Sequence, residues 1–280
     1  MALTALSHFG FLMIRGRDAE GFLQGYTTCD LTRLDHVPAL LGAICNIHGK
    51  VETTMIVSRI TPPSSLEGET ESQTAANETS LLLRMHRDSV IAVKSFLAKY
   101  IVFSKAKMTD VSEDWHCYGT FEEEAISDTV TISIPAMANR REIWSRQPLS
   151  AAGSLSTWLA EDIKTGLLWI KPDTSDTYLP QSLDLDRLEG IDFDKGCYLG
   201  QEIIARVHFL GDTKKRLFTG SSNAPIDRHT KLTFKNKTIG SILAVVQAKK
   251  GCLLLAQINS ALSQIDASVD DLQVTFSRIN

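Results

Sequence analysis

The residues best placed to do chemistry fall in one run: Lys195-Gly196-Cys197-Tyr198-Leu199-Gly200-Gln201-Glu202-Ile203-Ile204-Ala205-Arg206. Two glycines bracket a cysteine just ahead of a segment that reads as a helix starting at Gln201 and Glu202. Glycines at Gly196 and Gly200 allow backbone conformations or close approaches closed to other residues. A thiol near a helix N-terminus, two residues from Lys195 and on the approach to Arg206, sits where positive charge favours the thiolate. That is the setting of a reactive cysteine. The same features also fit a small apolar residue packed at a tight turn, because free cysteines are commonly buried and inert.

Other chemistries are poorly supported. Asp184, Asp186, Glu189, Asp192 and Asp194 crowd the approach to this run, but their spacing lacks the central glycine of a calcium loop, so a solvated turn is expected and no metal site. The chain has no H-x-x-x-H or HExxH pair, no G-x-S-x-G elbow and no Walker-type phosphate loop. Five cysteines, scattered and without a C-x-x-C pair, indicate neither a disulfide framework nor a zinc knuckle. With 29 Lys and Arg against 33 Asp and Glu, the net charge is −4, and direct nucleic-acid binding is disfavoured. The basic run Lys214, Lys215 and Arg216 reads as a solvated face. The apolar runs Leu40 to Ile47 and Cys252 to Ile258 are too short to span a bilayer. No signal or transit segment is read at the start of the chain, so a cytoplasmic protein is expected.

The elements that must position this run read as α+β. Phe9 to Ile14 is a strand, and Asp18 caps a helix that turns Phe22 and Leu23 inward. Leu40 to Asn46 and Val51 to Ile60 form a hairpin about His48-Gly49. Residues 62–80, rich in Pro, Ser, Thr, Gly and Glu, read as a mobile excursion. Leu81 to Met85 is a strand, Asp88 caps a helix facing inward through Ile91, Val93, Phe96 and Leu97, and Tyr100 to Ala106 is a further strand. Strands at Trp115 to Phe121, Thr129 to Ile134 and Glu142 to Arg146 precede a helix with Trp158, Leu159 and Ile163, ended by Gly166. Short strands then follow at Leu217 to Ser221, Lys231 to Phe234, Ile239 to Gln247, Cys252 to Gln257 and Leu272 to Ser277, with turns at Asn236-Lys237 and Lys250-Gly251. These predict a small C-terminal β-barrel over 211–280, preceded by an α+β part over 1–210.

Lys195 to Arg206 resembles the K-G-C-Y-x-G-Q-E-x-x-x-R signature of the YgfZ family, folate-binding proteins of iron–sulfur cluster maturation related to the glycine-cleavage T-protein. Ile14 to Ala19, Phe22 to Gly25, Lys99 to Lys105, Trp158 to Ala160 and Leu179-Pro180 ahead of Gly190-Ile191 resemble the same family. The resemblance implies a T-protein-like fold, with two interleaved α+β domains and a terminal β-barrel around a folate cavity. It makes Cys197 the functional thiol, flanked by Lys195 and Arg206. It places Phe9 and Trp158 as the rings against the pterin, a contact that offset aromatic stacking favours. Gly196, Tyr198, Gly200, Gln201 and Glu202 join the folate-binding set. The implied cofactor is tetrahydrofolate or a related reduced folate, and the implied partners are iron–sulfur client enzymes, tRNA-thiolating ones included, or assembly factors.

Two departures stand out. Where T-protein enzymes carry an Asp-Asp pair for aminomethyl transfer, this chain has Thr53 and Thr54, and Glu52 faces the other side of the strand. Where the wider family often has Glu, this chain has Lys164, so a carboxylate for the pterin is expected to be missing there. The alternative reading, a tetrahydrofolate-dependent aminomethyltransferase, is disfavoured by the threonines.

Overall fold

In a computed structural model, the chain is described at residues 2–60, 79–123, 126–137, 139–211, 213–248, 250–259, 261–269 and 272–279. A short strand β1 (Thr4–Ala5) precedes β2 (Phe9–Gly16), α1 (Ala19–Gln24), β3 (Leu40–Cys45), β4 (Val51–Arg59), β5 (Thr79–His86), α2 (Val90–Ile101) and β6 (Lys107–Asp110). Strands β7 (His116–Thr120), β8 (Thr129–Ile132) and β9 (Arg141–Ser145) follow, then α3 (Leu155–Thr165) and α4 (Gln201–Leu210). The remainder is all strand: β10 (Lys215–Ser222), β11 (Lys231–Phe234), β12 (Lys237–Gln247), β13 (Cys252–Asn259), β14 (Gln264–Val269) and β15 (Leu272–Arg278).

Three sheets result: a five-stranded one ordered β3-β4-β5-β2-β6, a four-stranded one ordered β1-β7-β9-β8, and a closed barrel ordered β10-β13-β12-β11-β14-β15. The first two interleave along the chain, because β1 crosses to pair with β7, Thr4 opposite Gly119, while β2 stays between β5 and β6. Strand β2 explains the layering. Phe9, Phe11 and Met13 enter the core between the sheets, and Leu12 and Ile14 enter the core under α1 and α2. A strand buried on both faces reads as a continuous apolar run, as FGFLMI does. The inter-sheet core also takes Leu243, Val246 and Leu255 from the barrel wall, and the barrel fills its own interior with Phe218, Leu254, Phe276 and their neighbours.

Several expectations are corrected. The excursion expected over 62–80 lies largely outside the described residues, but Thr79 and Ser80 belong to β5. Asp88 does not cap α2. It sits in a 3₁₀ turn whose entry is capped by His86 Nδ1, and Val90, Val93 and Leu97 face inward while Ile91 is 71% exposed. The segment from Tyr100 to Ala106 is no strand. Helix α2 runs on to Ile101, holding Tyr100 against Tyr26 at a centroid distance of 4.9 Å, and Phe103 is 96% exposed. Its aromatic and β-branched residues have strand-like types without a strand's alternation. The barrel has one strand more than expected, β14, and the β11–β12 turn is at Lys235-Asn236, where φ is 49° and 61°.

Candidate functional site

The run from Lys195 to Arg206 is clamped onto the end of α1 and the β3–β4 hairpin. The Lys195 ammonium donates to the carbonyls of Gln24, Thr27 and Cys29 at 2.8, 2.7 and 2.9 Å, which uses all three of its N–H groups. It also lies 5.0 Å from the centroid of the buried Tyr198 ring. Burial pushes its pKa down to about 8. The Leu199 N–H donates to Gly25 O at 3.0 Å, and Asp192 N–H to Thr28 O at 2.8 Å. Gly200 caps α4 at φ 83°, and a Cβ there would stand 2.4 Å from Asn46 O. Gly196 has open space where a Cβ would be, so the pair expected to act alike does not.

Lys195 therefore points inward as a clamp and does not lie over the thiol as the sequence suggested. Cys197 is exposed, four positions ahead of α4, whereas Cys29, Cys45, Cys117 and Cys252 are buried. Burial pushes the thiols of Cys29, Cys45 and Cys117 up, away from thiolate. Glu202 and Arg206 are exposed on α4, with Gln201 half-buried at its start. The acidic approach is structural: Asp184 and Asp186 accept from Arg216 at 3.1 and 2.7 Å, which also removes Arg216 from the solvated basic face expected at 214–216. Among the described residues no cluster suited to a metal ion occurs.

A second region has the features of a small-molecule site. Ser154 caps α3 by accepting from Thr157 N–H, and Gly166 ends it at φ 76°, which fixes a helix that buries Trp158, Asp162 and Ile163 on one side. Against this face, the 167–171 segment and strand β12 of the barrel, a cavity of about 260 Å³ opens. The aromatic wall is Trp169. Asp162 lines the cavity, accepting from Arg140 Nη2 at 2.6 Å and from Trp169 Nε1 at 3.2 Å; burial pushes its pKa up to about 6 against the pull of Arg140. His8 also lines it, and both of its ring nitrogens are buried without a hydrogen-bond partner. Burial, with Arg84, His86 and Lys171 nearby, lowers its pKa to about 3, so the imidazole is neutral at pH 7.

The rings expected to meet a ligand stand behind this wall. Phe9 packs edge-on against Trp169 at a centroid distance of 5.3 Å. Trp158 is buried with Arg140 over its ring at 4.5 Å and β7 so close that a Cβ on Gly119 would lie 2.3 Å from it. Neither lines the cavity, and no residue of 195–206 does. The Arg84 guanidinium sits in the corner that the near-perpendicular rings of Phe9 and Trp169 make, 3.8 Å from each centroid. It forms a fork with Glu142 of β9, and so joins the two sheets directly behind the cavity.

Sequence reasoning missed Asp162, His8 and Trp169. Two residues before Lys164 a buried carboxylate, Asp162, faces the cavity, while Lys164 itself pairs at the surface with Glu161. The signal was there in the i, i+4 spacing of Trp158 and Asp162, which puts a carboxylate on the buried face of α3.

The architecture, two interleaved sheets with a terminal barrel, is that of the glycine-cleavage T-proteins. The aminomethyltransferase T of the glycine cleavage system from Bartonella henselae superposes with a TM-score of 0.66 at 12% identity, covering 100% of this chain and 85% of its own. No protein-family profile matches the chain. Among curated relatives, an uncharacterized protein of Haemophilus influenzae is 30% identical over 217 residues, covering 76% of this chain and 71% of that protein. The "tRNA-modifying protein YgfZ" of Klebsiella pneumoniae is 30% identical over 91% of this chain and 84% of its own length, and that of Colwellia psychrerythraea 27% identical over the same shares. The chain belongs to the YgfZ family. Among the described residues, no helix is long and apolar enough to cross a membrane.

Proposed function

We propose that the protein binds a reduced folate, tetrahydrofolate or a close relative, in the cavity beside α3, and supports iron–sulfur cluster assembly or repair in client enzymes that modify tRNA. The observation that carries the reading is the exposure of Cys197: Lys195, Tyr198 and Gly200 of its motif are spent on holding the loop, and the thiol is presented to a partner beside the exposed Glu202 and Arg206. The cavity fits a reduced pterin. Trp169 offers a ring face, Asp162 a carboxylate for an amino-pyrimidine edge, and His8 two unpartnered nitrogens for polar edges of a ligand. Trp169, and not Trp158, takes the stacking role in this assignment.

Transfer of an aminomethyl group, the alternative, lacks its carboxylate. The Thr54 hydroxyl donates to Leu168 O and accepts from Ile170 N–H, both at 2.9 Å, and only shapes the wall. Calorimetric titration with tetrahydrofolate tests the cavity: binding that Trp169→Leu weakens is expected, and equal affinity in both proteins sinks the stacking assignment. Complementation of a strain lacking its own family member, scored by iron–sulfur-dependent tRNA thiolation, tests the thiol. Full rescue by a well-expressed Cys197→Ser would count against it.

A further inference from the structure

Charge is distributed unevenly around the cavity. Its one lining carboxylate, Asp162, has Arg140, Arg84 and Glu142 as electrostatic neighbours, whereas the other titratable lining residues are two cations, Lys171 and Arg228, and two imidazoles, His8 and His86, whose pKa values burial lowers. His86 senses Lys171 and Arg228 together with Asp88 and Asp173, so the two cations and the imidazole form one group, with two exposed carboxylates at its rim. That group lies at the solvent-facing end, since Arg228 is 29% exposed and Asp173 51%, against 7% for the side chain of Asp162. No described residue gives the Lys171 ammonium a hydrogen bond or ion pair. Arg228 is held by Asp173, which also stands 3.6 Å from His229 Nε2. A half-buried cation without such a partner is free to meet an anion, and beside an apolar wall that attraction is stronger than in open water.

Size points the same way. At about 260 Å³ the cavity falls just under the roughly 300–1,000 Å³ of sites that enclose a drug-sized ligand. It takes a ring system and leaves the rest of a larger ligand to pass the basic end.

We propose that Lys171, Arg228 and His86 form a subsite for an oxyanion, specifically the carboxylate tail of a ligand whose ring lies against Trp169. Asp173 competes with that carboxylate for the Arg228 fork. Lys171 supplies a point charge, and Arg228 supplies the paired donors that match a planar carboxylate. The inference rests on the cavity's being the ligand site and goes beyond it in fixing the ligand's polarity: amino edge toward Asp162, anionic tail toward Lys171.

Calorimetric titration of the full chain with four probes tests this: tetrahydrofolate, the tail-free tetrahydropterin, p-aminobenzoylglutamate and inorganic phosphate. The affinity ratio of tetrahydrofolate to tetrahydropterin is expected to fall about tenfold in Lys171→Ala and in Arg228→Ala, the worth of one charge-assisted hydrogen bond. Asp173→Asn, a conservative change at a half-exposed position, is expected to raise the same ratio, which loss of a merely structural ion pair would not do. A ratio unmoved by the lysine and arginine changes, or lowered by Asp173→Asn, overturns the proposal. Phosphate displacing p-aminobenzoylglutamate at equal concentration overturns the carboxylate assignment. If p-aminobenzoylglutamate binds through Lys171 while neither pterin compound binds, the folate reading falls and the subsite stands. If no probe binds, both fall.

Discussion

The Cys197 loop and the cavity beside α3 divide the labour in opposite ways. In the loop, a dense run of distinctive residues is spent almost wholly on geometry: Lys195 on three carbonyls, Gly200 on a left-handed cap against Asn46, Tyr198 on the core, leaving one thiol in solvent. In the cavity, ordinary residues from distant parts of the chain, His8, Asp162, Trp169 and Lys171 among them, make a chemically varied wall. A recognisable motif can therefore mark where a backbone must lie, while the groups that would meet a ligand are assembled by the fold.

The largest effect that tests this contrast is behind the cavity wall. Glu142→Ala leaves Arg84 buried and unpaired between the sheets, and should cost about 3–5 kcal/mol in a denaturant titration. An effect below that of a typical surface change would mean that the two aromatic rings alone hold the guanidinium. Next, Gly200→Ala should cost up to about 3 kcal/mol, the upper end for a strained backbone position, while Gly196→Ala stays within about 0.5 kcal/mol. Equal costs at the two glycines would erase the division within the loop.

A pH effect comes third. Because burial raises Asp162 to about 6, the native state holds its proton more tightly than the unfolded chain, so this group's contribution to stability is full below about pH 4 and declines as pH rises through 6. Asp162→Asn should remove that decline from the stability profile, and a profile parallel to the parent's would show that Arg140 fully compensates the carboxylate. Smallest in stability is Cys197→Ala, within about 0.5 kcal/mol because the side chain is exposed. Mass spectrometry after brief iodoacetamide treatment should nonetheless find Cys197 alkylated ahead of the four buried thiols. A large drop in melting temperature with slow labelling would place the sulfur in the core.

Much of the fold was legible because its signals are local. The apolar run FGFLMI reads as a strand and is one, and Gly166 ends α3 where the sequence places its stop. The failures were where residue type and period disagree, as at Tyr100 to Ala106, or where a strand is short and half polar, as in β14. In the candidate site, the exposed thiol could be anticipated from its turn, but the inward path of Lys195 could not, since its three acceptors lie about 170 positions away. Asp162 was masked by its type. An acidic residue in an amphipathic helix reads as solvent-facing until a buried Arg140 is known to meet it.

The crossing of β1 into the second sheet has a consequence for the order in which the chain acquires structure. Thr4 is paired with Gly119, so this edge of the four-stranded sheet waits for a partner more than a hundred residues downstream, while the barrel draws all its strands from Lys215–Arg278. Closing long loops slows folding, and contacts close in sequence form first. In refolding followed by pulsed hydrogen exchange, barrel amides should gain protection before those of the β1–β7 pair; the reverse order would show that the interleaved sheets nucleate the molecule. The crossing thus acts as a late latch, tying the completion of both sheets to a single event.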